Sequence, residues 1–467
     1  MKKRLLVLTT ALAITMINPL SVNAEEVSII NTNISKTVTA EGQYKNWDGV
    51  PSVAQFTDSE GHFCFAFVKA NKKNKKKILI VKTQEGKITQ KLKLKMNGSI
   101  FGTVAMDDDG YYYAVTGKQN SGNDTTKETI FITKYNSNGK LLQTVGNNGS
   151  SSLASYYEDR FYTKIPFEGG TCDIAMNGNY LAVHYAREMY SGHQSNSVWM
   201  IDKNTMETIT PNDNSYYGYS NYESHSFGQR VIPYAGGFAF ISEGDCYDRA
   251  FTFSTSDLEN NTSKEVPIFD FWVKEGALDD YNMYVLNDNF AHIGNLCNLN
   301  NGTLSFVASS VPAMDEQASN QKEQIFIQIF NPTADLSSKE AYITTGTRSG
   351  TAGPNGRDSK TNYGIKWLTN IKSGSISNPQ AVADENGNTI VLYEYFESNR
   401  KYTGVYYMVV DANGNITKQA TLLSKTAKLN ACETPIYKDG FVYWCGNSNG
   451  GAYDSTDLLI YKFNLSE

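Results

Sequence analysis

The chain has 467 residues, with 42 Lys and Arg against 48 Asp and Glu and a formal net charge of −6. That acidic balance speaks against a protein held to nucleic acid by a generally basic surface. Tyr (30) and Phe (22) are abundant, Pro (11) is scarce and long apolar runs at helical spacing are nearly absent, so an all-β fold is expected.

Residues 1–24 have the layout of a signal peptide. Lys2, Lys3 and Arg4 form a basic start, Leu5 to Ile17 an apolar run, and Val22-Asn23-Ala24 a small-residue cleavage site. The run is too short for a spanning helix, and no Cys follows it for lipid attachment. The expectation is a secreted, extracellular protein with no membrane span, whose residues 25–467 form one domain.

From Pro51 onward a strand–turn–strand–loop–strand unit recurs seven times. First strands are PSVAQF (51), GTVAM (102), CDIAM (172), QRVIPY (229), GNLCNL (294), NPQAVA (378) and ETPIY (433). Each runs into a turn ending in glycine: Gly61, Gly110, Gly178, Gly237, Gly302, Gly387 and Gly440. Fourth strands are visible in several units, as in ITQKLKLKM (88) and ITKQATLL (416), but the last unit leaves no room for one. The unassigned stretch VSIINTNISKTVTA (27–40) would supply it. The fold expected is a seven-bladed β-propeller of four-stranded antiparallel blades, closed by the N-terminal strand so that no sheet edge is left open. Two stacked β-sandwiches would not explain why one unit recurs seven times.

Within this repeat, Asp107-Asp108-Asp109-Gly110 looks like a calcium loop but lacks EF-hand spacing, since its twelfth position, Lys118, is not Glu. Asp58-Ser59-Glu60-Gly61 and Asp384-Glu385-Asn386-Gly387 fill the same slot, so turn chemistry accounts for all three. The run KANKKNKKKILIVK (69–82) falls at the hairpin of the first unit, as a solvated edge or a contact for an anionic polymer.

The third and fourth units hold the densest set of ionisable side chains. His184, Arg187, Glu188 and His193 follow the second strand of one, and Glu243, Asp245, Asp248 and Arg249 that of the next. His225 lies just before a first strand, as do Asp173 and His292. In a propeller those two kinds of loop share one rim, so these groups would line one concavity. They could grip a polar ligand by charge-assisted hydrogen bonds, or ligate a divalent metal through imidazole and carboxylate. Alternatively, the arginines pair with nearby carboxylates and lock the loops. No cofactor is otherwise indicated.

The segments YTKIPFEGG, LAVHYAREMY, HQSNSVWMIDKNTM, SHSFGQRV and SEGDCYDRAFTF resemble a group of secreted propeller proteins from Gram-positive bacteria. GIKWLTN (364), SNPQAVADENGNTIVLYEY (377) and NACETPIYKDGFVYWCG (430) continue the likeness through the seventh unit. The resemblance implies the fold and no activity. The group's pattern carries a His-Gly-Asp run followed by Pro-Arg where this chain has Glu243-Gly244-Asp245 and Asp248-Arg249.

Six cysteines are widely spaced; Cys64, Cys297 and Cys445 fall inside apolar strands, so free core thiols are expected rather than disulfides. HExxH, P-loop and GxGxxG patterns do not occur, nor does a sialidase-type Asp box. The leading functional expectation is a monomeric binding module whose rim recognises a glycan, peptide or cell-surface partner, and not nucleic acid. The alternatives are an extracellular hydrolase or lyase using rim carboxylates and His, and a structural cell-surface component.

Overall fold

The computed structural model describes residues 25–30, 53–70, 76–84, 87–122, 124–149, 162–189, 192–209, 223, 225–244, 250–271, 291–314, 321–352, 358–447 and 458–465. Seven antiparallel sheets follow one another along the chain as the blades of a propeller. Their innermost strands are Val53–Thr57, Ile100–Met106, Cys172–Asn177, Gln229–Tyr234, His292–Asn298, Ser375–Ala383 and Ile436–Lys438.

Residue type sets the radial order within each blade. Second strands such as Tyr180–Glu188 and Gly237–Gly244 are buried along almost their whole length, because neighbouring blades cover both faces. Outer strands such as Lys87–Lys95 are mostly exposed and keep alternate apolar residues against one neighbour only. The core is therefore a set of seams between blades. Ile100, Tyr113, Leu181 and Trp199 fill one seam between blades two and three. Phe251, Phe269, Phe306 and Phe326 fill that between blades four and five, where the Phe269 and Phe326 rings stack at 4.4 Å.

Turn chemistry is as the sequence indicates. Asp58 Oδ1 accepts from the backbone N–H of Glu60 (3.0 Å) and His62 (2.8 Å), and Asp384 Oδ1 from those of Asn386 (2.9 Å) and Asn388 (2.8 Å). Gly61, Gly110 and Gly387 take the positive φ that closes these turns. At the blade-four turn the left-handed residue is Ala235 (φ 46°) rather than a glycine. Gly237 is needed there for closeness, since a Cβ on it would lie 1.9 Å from the Ser256 carbonyl oxygen.

The ring closes through the first described strand. Glu25–Ile30 pairs antiparallel with Leu458–Asn464, from Glu25 opposite Lys462 to Ile30 opposite Leu458, and so forms the outer strand of blade seven. The strand begins two residues before the stretch expected from sequence and shares residues 27–30 with it; residues 31–52 lie outside the described ones. On the axial side, Gln55 of blade one accepts from the Cys445 N–H at 2.9 Å and donates to the Thr434 carbonyl, tying the first blade to the last.

Two blades depart from the plain meander. In blade three the outer position is marked, among the described residues, only by the Ile201–Thr208 bridge. The two-residue strand Ile165–Pro166 pairs instead with Arg187 and Glu188 at the end of the second strand. In blade five a hairpin, Thr347–Ala352 with Asp358–Tyr363, is inserted ahead of the short outer strand Lys366–Trp367. Its Arg348 is buried, lies 4.5 Å over the Phe269 ring, and donates to the carbonyls of Asp270 (2.9 Å), Ala313 (3.1 Å) and Pro312 (3.3 Å).

Cys64, Cys172, Cys297 and Cys445 are buried free thiols. Burial pushes the Cys64 and Cys297 thiols up to about 12, so they stay protonated. Among the described residues no helix is long and apolar enough to cross a membrane.

Candidate functional site

The rim over blades three and four is built on the long second strand Tyr180–Glu188. Its last residues, Arg187 and Glu188, extend past the inner strand and are backed by Ser195 and Gln194 of the third strand. Arg187 is buried and donates through Nε to Ser195 Oγ (3.2 Å) and through Nη1 to the Gly149 carbonyl and Thr163 Oγ1 (3.4 Å). Hydroxyl and carbonyl acceptors thus hold its guanidinium.

The loop entering blade four lies against the same third strand. The His225 N–H donates to the Gln194 carbonyl (2.8 Å), and the Glu223 N–H donates to Asn196 Oδ1 (2.6 Å). A reciprocal clasp fixes the end of the loop. Thr171 N–H donates to Gln229 Oε1 (2.9 Å), and Gln229 N–H donates back to Thr171 Oγ1 (2.8 Å). Between these anchors His225 is held at φ 53°, a conformation uncommon for a residue bearing a Cβ. Its ring lies 5.0 Å from that of His193, tilted by 36°. Both histidines are partly exposed, whereas Glu168, Glu188, Glu223 and Glu243 are buried. Burial, and then the Arg187 charge, hold the His193 imidazole below its ordinary value, which favours the neutral ring.

His184 stands apart from this group. It is fully buried mid-strand, with Nδ1 donating to the Arg230 carbonyl (3.1 Å), Nε2 accepting from Asn196 Nδ2 (3.1 Å), and its ring edge-on to Phe240 at 5.6 Å. That bonding assigns the tautomer. Burial lowers its pKa to about 4, so His184 is a neutral brace for the seam. Sequence spacing could not separate it from the rim, because the strand carries it three residues before Arg187. Asp245, Asp248 and Arg249 lie outside the described residues.

Three acidic or basic groups gather at the axis, of which only Asp173 was a sequence candidate. Arg230 Nη2 donates to the Ala431 carbonyl (3.1 Å), and Glu433 Oε2 accepts from the Gln55 N–H (3.0 Å). Gln380 Nε2 donates to the carbonyls of Asn430 and Glu433. The segment 430–434 is therefore bonded to blades one, four and six. Asp173 accepts from the N–H groups of Ile174 and Val231, both at 2.9 Å. Burial raises the pKa of both Asp173 and Glu433, with Arg230 opposing it in each case.

One group among the described residues has metal-ligand spacing: Asp58, Glu60 and His62, whose ligand atoms lie within 4.8 Å of one another. Lys82 Nζ stands 2.7 Å from Asp58 and 2.8 Å from Glu60 and already supplies the cation there. On the opposite rim a polar cavity of about 520 Å³ is lined by residues including Asp107, Asp109, Tyr111, Lys134, Lys203 and Asn204. Lys134 lies over Tyr111 at 4.5 Å and Lys203 is 3.8 Å from Asp107, so its charges are balanced within the protein.

No protein-family model matches the chain, and no curated protein matches it. Similar solved structures include a protein of unknown function from Dyadobacter fermentans, at 9% identity and TM-score 0.36, over 80% of this chain and 98% of that one. A putative 6-phosphogluconolactonase from Bacteroides fragilis is similar at 11% identity and TM-score 0.41, over 80% and 84%. A subtype N11 neuraminidase-like protein from a flat-faced bat isolate is similar at 9% identity and TM-score 0.37, over 86% and 93%. Likenesses this remote carry no argument about activity.

Proposed function

We propose that the protein is a secreted binding module that recognises an extracellular glycan, peptide or cell-surface partner through the rim of blades three and four. The observation behind this reading is the His193–His225 pair, with His225 at φ 53° and its backbone N–H anchored to the Gln194 carbonyl. A residue held in a sparsely populated conformation by its surroundings is a common mark of a ligand clamp. Two adjacent imidazoles offer donors and acceptors to a hydroxyl- or amide-bearing ligand. Arg187, Glu188 and Glu243 belong to the wall of this site; Asp245, Asp248 and Arg249 continue it in sequence.

The test is retention of the protein on a panel of immobilised polysaccharides and peptides, with release of reducing ends followed in parallel. Retention that His225→Ala and Glu243→Gln each weaken about tenfold or more, with the melting temperature unchanged, supports a binding rim; that factor corresponds to about 1.4 kcal/mol. New reducing ends would reassign the rim to hydrolysis or lysis. Equal retention of parent and variants would remove it from recognition.

A further inference from the structure

Blade one carries a charge pattern that its own stability does not explain. The register of its strands sets Lys69 directly opposite Lys77, and Lys77 directly opposite Lys95. Lys93 faces Leu79 and Lys91 faces Val81 on the same side of the sheet. All five lysines are exposed. They share the face on which Phe65, Phe67, Leu79 and Val81 pack against Cys445 and Ile460 of blade seven. The other face of the same outer strand is apolar, with Leu92 and Leu94 turned toward blade two. None of the five is ion-paired with any described residue.

Like charges directly opposite one another destabilise a sheet, and the chain as a whole is acidic. Lysines on an exposed edge guard against edge-to-edge pairing, but that accounts only for Lys91, Lys93 and Lys95. Lys69 and Lys77 are on the second and third strands, where no edge needs guarding. The array therefore repeats positive charge about every 4.8 Å across strands and about every 7 Å along the outer strand. Its members are all Lys and none is Arg, which gives point charges with no demand for planar, bidentate geometry.

We propose that this lysine face docks a flexible linear polyanion, and that it works independently of the rim of blades three and four. Long-chain inorganic polyphosphate is a suitable probe, with its binding to the whole protein measured across a salt series. The parent should bind with a log–log salt slope of about −3 to −4, the value for about five phosphate contacts on a flexible strand. In the triple variant Lys69→Ser, Lys77→Ser, Lys93→Ser the slope should shrink by about 2. The melting temperature should hold or rise as the repulsion is removed, and His225→Ala should bind polyphosphate like the parent. The idea is overturned if polyphosphate binds parent and triple variant alike, or does not bind the parent at all. Binding to phosphatidylglycerol vesicles without binding to the polymer also overturns it, in favour of a membrane surface. So does a clear fall in the melting temperature of the triple variant, which would make the lysines structural.

Discussion

Glu323 shows how one side chain can set a pH dependence for the whole fold. It sits beside the start of the third strand of blade five, accepts from Ser309 Oγ, and is raised by burial from 4.5 to about 8. The folded protein thus holds a proton that the unfolded chain releases. Its stabilising contribution is complete below pH 4.5 and is lost as pH climbs toward 8. Thermal melts of the parent and of Glu323→Gln across that window should show the parent losing ground to the variant as pH rises; a constant gap between them would contradict the assignment. Residue-level detail of this kind was poorly legible in the sequence. Arg187, Glu188 and His193 do gather at the rim, because a strand followed by a polar loop must end at one. Glu168, Glu223, Arg230 and Glu433 carry no local signal, since their burial depends on blades far away in sequence.

At the level of elements, the turns and second strands were the most legible parts. Asp at the first turn position and Gly at the last leave little choice of conformation, and continuous runs such as FCFAFVKA mark strands covered on both faces. The inserted hairpin of blade five was legible only as an unusually long interval between Gly302 and Gly387. Its anchor is a long-range contact that no local pattern encodes. Arg348→Ala would leave the carbonyls of Asp270, Ala313 and Pro312 without this donor and should cost about 2–4 kcal/mol. Denaturant unfolding measures that loss, and a change below about 0.5 kcal/mol would mean water replaces the guanidinium freely. The closing strand gives a larger effect. A variant lacking residues 25–42 should melt well below the parent, because Leu458–Asn464 then presents an unpaired edge. Melting like the parent would show the ring to be stable without its clasp.

Over the whole molecule the seven sheets form a closed cycle, and residues 430–434 bond to blades one, four and six. The two rims differ chemically: a histidine pair on one, a polar cavity holding both acidic and basic side chains on the other. The fold as a whole was legible because repetition survives insertion; the bonding of 430–434 was not, because it brings together residues from four distant stretches.

The pairing of Glu25–Ile30 with Leu458–Asn464 also imposes an order in time. During synthesis the outer strand of blade seven is made before any complete blade, and its partner only after the other six blades. Blades one to six can each form from adjacent chain and stack as they appear. The seventh must wait, so until the final strand arrives the assembly is an open arc with exposed ends. The last step is a single long-range capture, slow beside the local hairpins that precede it. A chain interrupted before Leu458 can build most of its sheets and still never become a ring.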